Sequence, residues 1–468
     1  MVADLAIYTV VHQPRRLKLP AQPIPRGASI EDITRCLFDE SMNEHYFRKV
    51  AKYCYYPATR MFLDLVRQGL KLSIGFSLSF LRQAQNWDTT LLELFRELVA
   101  EENVELIGVE PYHSFLFLLD LPAFISRMQE MVQEMVSLFG KRPVVTDTTE
   151  MCMSATIYNA LDAAGFRGAL IDGRPWVMGW RESTHLYRYG DDGPYAQPIG
   201  DRKAARAAVY GKRSVRKDEK EDRENPPYLL ARHLELSDDV GYRFSNRGWS
   251  GFPLYADAYA HWIGRTWGEM LLLGWDYETF GEHHRLDSGI FEFMRALPSQ
   301  LGKSGVTTYT VSELIDRHCA HTNHLPLPVY PSTWAGSGGM EFFLGNEAQK
   351  VILQLMGHVY GMAKLTENPE LIDLTLWLAQ SDNLHLIQWY GRSGPEAEVS
   401  AYFTPSEWWA LGANGVIYEQ QQVYLNALRA MEPYLPVRLL RQPERKTIRL
   451  RETKPEPEAA LYSAARGV

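Results

Sequence analysis

Residues 274–284 read Gly274-Trp275-Asp276-Tyr277-Glu278-Thr279-Phe280-Gly281-Glu282-His283-His284, directly after the apolar run Met270 to Leu273. A run this short, ending in clustered carboxylates and imidazoles, predicts a buried strand that delivers polar side chains to a site. The same grammar recurs along the chain. Leu5 to Val11 ends at His12, Leu72 to Phe76 near Ser77, Val104 to Val109 at Glu110 and His113, Val144 to Thr146 at Asp147 and Glu150, and Ala169 to Ile171 at Asp172. Between them, helical periodicity marks Glu44 to Gln68, Thr89 to Ala100, Pro122 to Leu138, Ala155 to Ala164 and Ala256 to Glu269. Alternating strands and helices predict βα units in a parallel α/β barrel, whose active side chains gather at the carboxyl ends of the strands.

The barrel is expected over residues 1–320, closing near Thr307 to Thr310, with a charged insertion at about 191–227. Residues 201–226 carry nine Lys or Arg and six Asp or Glu, which predicts a mobile excursion rather than core. After Pro331 the pattern turns helical, at Met340 to Leu365, Pro369 to Gln380 and Gly415 to Met431, so residues 321–435 are expected to form a helical domain and 436–468 a loosely held charged tail.

With 46% hydrophobic and 23% charged residues, 468 residues can bury a large core. The net charge of -8 argues against nucleic acid or anionic lipid as partner and favours a neutral or weakly charged substrate. Cys36, Cys54, Cys152 and Cys319 are widely spaced, so they suggest reduced thiols rather than a disulfide scaffold or zinc ribbon. The amino terminus lacks the basic and apolar regions of a signal peptide, and no stretch reaches the apolar length of a membrane span, so a cytoplasmic location is expected. The oligomeric state is left open.

Asp276 and Glu150 are the strongest candidates for chemistry. Each alone could be a carboxylate at a helix amino terminus, held by capping and the macrodipole, and Asp147, Asp172 and Glu278 fit that plainer reading. Several acids and two histidines at strand ends are harder to explain so, because gathering them in a cleft costs desolvation. Glycosidic bond cleavage needs such a pair, one carboxyl to protonate the leaving oxygen and one to attack or to activate water. His12, Gln13 and His113 could hydrogen-bond sugar hydroxyls or orient a carboxylate. Trp176, Trp180, Trp249 and Trp334 offer flat apolar faces suited to sugar rings, although core packing explains a tryptophan equally well.

With these residues in view, the chain resembles glycoside hydrolase family 57, specifically its α-amylase-like branch. His12-Gln13-Pro14 is similar to the family's first motif, Val104 to Ser114 to the second and Thr146 to Ser154 to the third, while Asp276 to His283 carries the fourth complete. The resemblance spans roughly residues 1–430. It implies an incomplete (β/α)7 barrel with a mainly helical carboxyl-terminal domain lining the cleft. It also implies retention of anomeric configuration, with Glu150 as nucleophile and Asp276 as general acid/base, and an α-glucan or maltooligosaccharide substrate. No metal or cofactor is implied. His12, Gln13, His113, Trp180, Trp249 and Asp382 are the expected substrate-binding residues.

Three departures stand out: Thr148-Thr149-Glu150-Met151-Cys152 in the third motif, Gly336-Ser337-Gly338-Gly339 after Trp334, and Ser381-Asp382-Asn383-Leu384-His385, which keeps part of a family pattern. Two alternatives share the residues of hydrolysis or much of the fold: glucanyl transfer, and glucan binding with weak or lost activity. A third treats His12, His113, Asp276 and His283 as ligands of a metal-dependent hydrolase.

Overall fold

The computed structural model describes residues 1–190 and 226–436. The expected insertion at 191–227 and the tail at 436–468 lie almost wholly outside the described residues. The strands are β1 (Asp4–Val11), β2 (Leu72–Phe76), β3 (Val104–Ile107), β4 (Val145–Thr146), β5 (Gly168–Asp172), β6 (Leu186–Tyr189), β7 (Tyr228–Arg232), β8 (Met270–Asp276), β9 (Thr307–Tyr309) and β10 (Asn323–Leu325).

Seven of them close a parallel ring in the order β1, β2, β3, β4, β5, β7, β8 and back to β1. Two seams are thin. β3 meets β4 through a single bridge, Gly108 to Thr146, and β7 meets β8 only at Arg232 and Leu272, whereas the other neighbours share two to seven register pairs. This is the incomplete (β/α)7 barrel. β6 pairs antiparallel with β7 and β10 extends that flap, while β9 adds to the edge of β1. Short strands with few apolar residues, β6 and β10 gave no readable period in the sequence.

Strand alternation sorts the core. Ala6, Tyr8 and Val10 of β1 enter the barrel interior with Leu170, Leu230, Met270 and Leu272, while Leu5, Ile7 and Val11 pack outward against the helices. On β8, Leu271, Leu273 and Trp275 point outward. The same parity therefore turns Asp276 inward, at the carboxyl end, on the face shared with Leu272 and Gly274.

The sequence-read helix over 44–68 is one path interrupted by a π turn at Ala51–Tyr55. That over 340–365 is two helices, Glu341–Leu344 and Glu347–Thr366, because Asn346 caps the second by accepting from the Gln349 amide while Gln349 reciprocates. Glu347–Thr366 packs against Pro369–Leu378 and Gly412–Met431. These helices meet the barrel mouth through the segment Gln380 to Asp382. The Ser381 amide donates to the His113 carbonyl at 2.8 Å, and the Arg15 amide donates to Gln380 Oε1 at 2.9 Å.

Candidate active site

Asp276 ends β8, while His12, His113 and Glu150 lie one, six and four residues beyond β1, β3 and β4, and the segment at 380–385 meets them. A continuous polar array results. Asp382 Oδ2 lies 2.9 Å from His12 Nε2, the His12 ring stacks on His113 with centroids 3.9 Å apart, and His113 Nε2 lies 3.1 Å from Glu150 Oε1. Ser77, at the end of β2, holds the other nitrogen of His12 at 2.8 Å.

Electrostatics alternate along this array. Burial alone would lower the proton affinity of His113, but the Glu150 hydrogen bond and charge outweigh it and raise its pKa to about 9. Burial, and then the cationic His113 beside it, push His12 down. Burial would raise Asp382, yet His12 and then His113 hold it well below the usual carboxylate range. Along the array the two carboxyls, Asp382 and Glu150, fall below their ordinary values, while of the two imidazoles His12 is pushed down and His113 up.

Glu150 sits in a strained turn. Its φ is 58° and that of Met151 is 50°, left-handed values that cost non-glycine residues about 1–3 kcal/mol each. The surroundings enforce them. Thr333 Oγ1 donates to the Glu150 carbonyl at 2.7 Å, Thr149 Oγ1 to the Ser114 carbonyl at 2.7 Å, and Thr148 Oγ1 to the Cys152 carbonyl at 2.5 Å. The threonines of this departing motif thus tie down backbone, not the carboxylate. The carboxylate itself receives His113, Trp334 Nε1 at 2.8 Å and Ser381 Oγ at 3.3 Å. Burial raises the carboxyl's pKa, but His113 and Trp334 overcome it, and Glu150 ends below its ordinary value.

Asp276 closes a regular strand in extended conformation. Burial, and then the Glu150 anion, raise its pKa to about 7. The two carboxyl groups sense each other across the cleft, and their environments drive them apart in proton affinity.

Several acids that looked like simple caps are buried instead. Asp147 accepts from the Tyr8 hydroxyl at 2.8 Å in the barrel interior, and burial raises its pKa to about 7. Glu278 lies 2.8 Å from the Tyr55 hydroxyl, which also reaches Gln13 Oε1 at 3.0 Å, and burial raises Glu278 far above the carboxylate range. Gln13 is accordingly buried, with its Oε1 accepting from Tyr55. Gly281, in the same motif as Asp276, has φ 120° and its missing side chain leaves room for the Tyr53 carbonyl, which a Cβ would meet at 2.0 Å.

The sequence reading missed Arg232. It ends β7, fully buried, with Nη1 2.9 Å from Asp172, Nη2 2.6 Å from Asp238 and Nε donating to the Gly274 carbonyl at 2.9 Å. Its guanidinium also lies 5.7 Å from the Trp334 ring. Arg174 pairs with Asp172 at 2.6 Å and donates to the carbonyls of Trp334 and Gly336. Asp172 thereby steadies, through two arginines, the tryptophan that holds Glu150. The departing glycines fit this contact: Gly338 has φ 95°, and a Cβ there would meet Arg174 at 2.8 Å.

The tryptophans divide. Trp334 is at the carboxylate. Trp180 is 80% exposed beneath Arg181, and Trp249 packs beside Arg243 and Trp262 in a separate pocket that includes Glu235 and Asp239. His283 is turned toward Phe403 and does not join His12 and His113. Among the described residues no group of three or more His, Cys, Asp or Glu side chains is arranged to hold a metal ion, and no helix is long and apolar enough to cross a membrane.

A protein of Methanocaldococcus jannaschii that carries the provisional name of an alpha-amylase is 28% identical over 437 residues, 91% of this chain and 83% of that protein. The fold is similar to the 4-alpha-glucanotransferase of Thermococcus litoralis (TM-score 0.57, 13% identity), covering 91% of this chain but only 59% of that one. It is equally similar to a GH57-type branching enzyme of Pyrococcus horikoshii (TM-score 0.57, 14% identity), covering 93% and 97% of the two chains. The model of glycosyl hydrolase family 57 matches residues 6–199 and 207–326, a span that contains both candidate carboxylates, and the chain belongs to that family.

Proposed function

We propose that this protein is a retaining glycosidase of α-1,4-glucans in which Glu150 is the nucleophile and Asp276 the general acid/base. One observation carries the reading: of two carboxyl groups in one cleft, Glu150 is held anionic while Asp276 is raised to about 7. A pair split in this way has an attacking carboxylate and a proton donor ready at the same pH.

In the first step Glu150 attacks the anomeric carbon as the glycosidic C–O bond breaks, and Asp276 gives its proton to the departing oxygen. Positive charge growing on the ring faces an anion already formed, which needs no reorganisation. The resulting glycosyl ester carries inverted configuration. Asp276, now anionic, takes a proton from water as it attacks the same carbon, which releases Glu150 and restores the original anomer. His113 keeps Glu150 ionised before attack, and His12 and Asp382 fix His113 in place.

Transfer uses the same residues with a sugar hydroxyl in place of water, and the similar glucanotransferase and branching enzyme keep that reading open. A maltooligosaccharide series separates them: shortened chains indicate hydrolysis, and redistributed lengths or new branch points indicate transfer. Binding without product at every length and pH would leave only the glucan-binding alternative. For the assignment of roles, a Glu150→Gly variant given an activated α-glucoside and azide should form the β-glycosyl azide. An α-azide would remove Glu150 from the nucleophile position.

A further inference from the structure

A second surface of this fold matches the chemistry of a glucan chain. The loop after β5 and the segment 328–344 enclose a groove of about 630 Å³, lined by Trp176, Val329, Tyr330, Met340 and Leu344, with Ser337 and Glu341 at its edge. Its side chains are bare: Trp176 is 52% exposed, Tyr330 83% and Val329 80%. A contiguous exposed apolar patch with polar groups at its rim marks a binding surface.

The groove joins the cleft through one stretch of chain. Tyr330 and Met340 flank Trp334, whose indole nitrogen holds Glu150. The Ser332 amide donates to the Met153 carbonyl at 2.8 Å, the Ala155 amide donates to the Pro328 carbonyl at 3.0 Å, and the Met340 sulfur lies 3.9 Å from Cys152. Trp334 lies four positions after Tyr330, at most about 14 Å of extended chain. The opposite wall is tied in as well, because Arg174, immediately before the helix Pro175–Met178, donates to the Trp334 and Gly336 carbonyls. Both walls are therefore braced to the seat of Glu150.

We infer that this groove is a distal subsite that binds an α-glucan chain extending from the cleft, with Trp176 and Tyr330 as stacking platforms and Ser337 and Glu341 as hydroxyl partners. An aromatic face with a few polar groups at its edge suits the apolar C–H faces and peripheral hydroxyls of successive glucose units. A second copy of this chain is the competing occupant. The proposal rests on the glucan reading of the cleft, and its test separates the two.

Binding is read first on the Glu150→Gln protein, by calorimetry with maltotriose and with maltoheptaose. Trp176→Ala and Tyr330→Ala should each weaken maltoheptaose about tenfold, roughly 1.4 kcal/mol, and leave maltotriose unchanged. Trp267→Ala, at a bare tryptophan distant in sequence from the groove, serves as the control and should change neither. Equal weakening of both sugars, or of neither, overturns the subsite, as does a sedimentation shift from dimer to monomer in the groove variants. Turnover is read separately in the Glu150 background, where kcat/KM should fall only for long substrates. Bound glucan with no turnover would sink the catalytic reading and leave the subsite standing.

Discussion

The loop after β4 and the last residue of β8 deliver chemically similar groups in opposite ways. Glu150 sits in left-handed backbone, clamped by Thr333, Trp334, His113 and Ser381, so its anion is solvated by fixed donors. Asp276 ends an ordinary strand, and burial and then its neighbour's charge raise its pKa to about 7. The lesson is that a carboxyl's role is set by what the fold aims at it. Backbone strain accompanies the clamped group, and a regular strand suffices for the one whose pKa is raised.

Removing either partner is the severest way to break the comparison. Glu150→Gln and Asp276→Asn should each lower kcat by about 10⁴-fold or more, measured on maltooligosaccharides, and the double variant should lose little beyond either single one because the pair acts as a unit. Losses that multiply in the double variant would mean that the two groups work independently.

Removing the cation comes next. His113→Gln should lower kcat/KM by roughly 10²-fold, a typical scale for a group that sets protonation. It should also move the acid limb of the pH profile upward, because Glu150 loses the first of the interactions that keep it ionised. In the unaltered enzyme the alkaline limb of kcat/KM should fall near pH 7, as Asp276 loses its proton with rising pH. An alkaline limb unmoved by Glu150→Asp or by Asp276→Glu would detach the profile from this pair.

Trp334→Phe keeps the ring and deletes one donor to Glu150. A hydrogen bond to a charged group is worth about 1.5–3 kcal/mol, so a ten- to hundredfold fall in kcat/KM is expected, with the acid limb raised and the alkaline limb little changed. A shift confined to the alkaline limb would instead connect Trp334 to Asp276.

The smallest effect concerns support rather than chemistry. Gly338→Ala places a side chain at φ 95° against Arg174 and should cost roughly 1–3 kcal/mol of stability, seen as a lower unfolding midpoint with the pH limbs in place. Moved limbs at unchanged stability would show that the Arg174 brace acts on Glu150's proton affinity directly.

The sequence by itself determined the parallel barrel, because short apolar runs alternating with amphipathic segments allow few other packings. It also put Asp276, Glu150, His12 and His113 at or just past strand carboxyl ends, because each closely follows a short apolar run. It misread Asp147, Asp172 and Glu278 as caps, because a cap and a buried acid at a strand end are written alike; only the partners Tyr8, Arg232 and Tyr55 tell them apart. Tertiary structure alone decided which carboxyl has the higher proton affinity. Asp382 meets His12 across 370 residues and Trp334 meets Glu150 across 184. Proton affinity depends on burial and on charges a few ångströms away, and those neighbours come from parts of the chain that no local pattern connects.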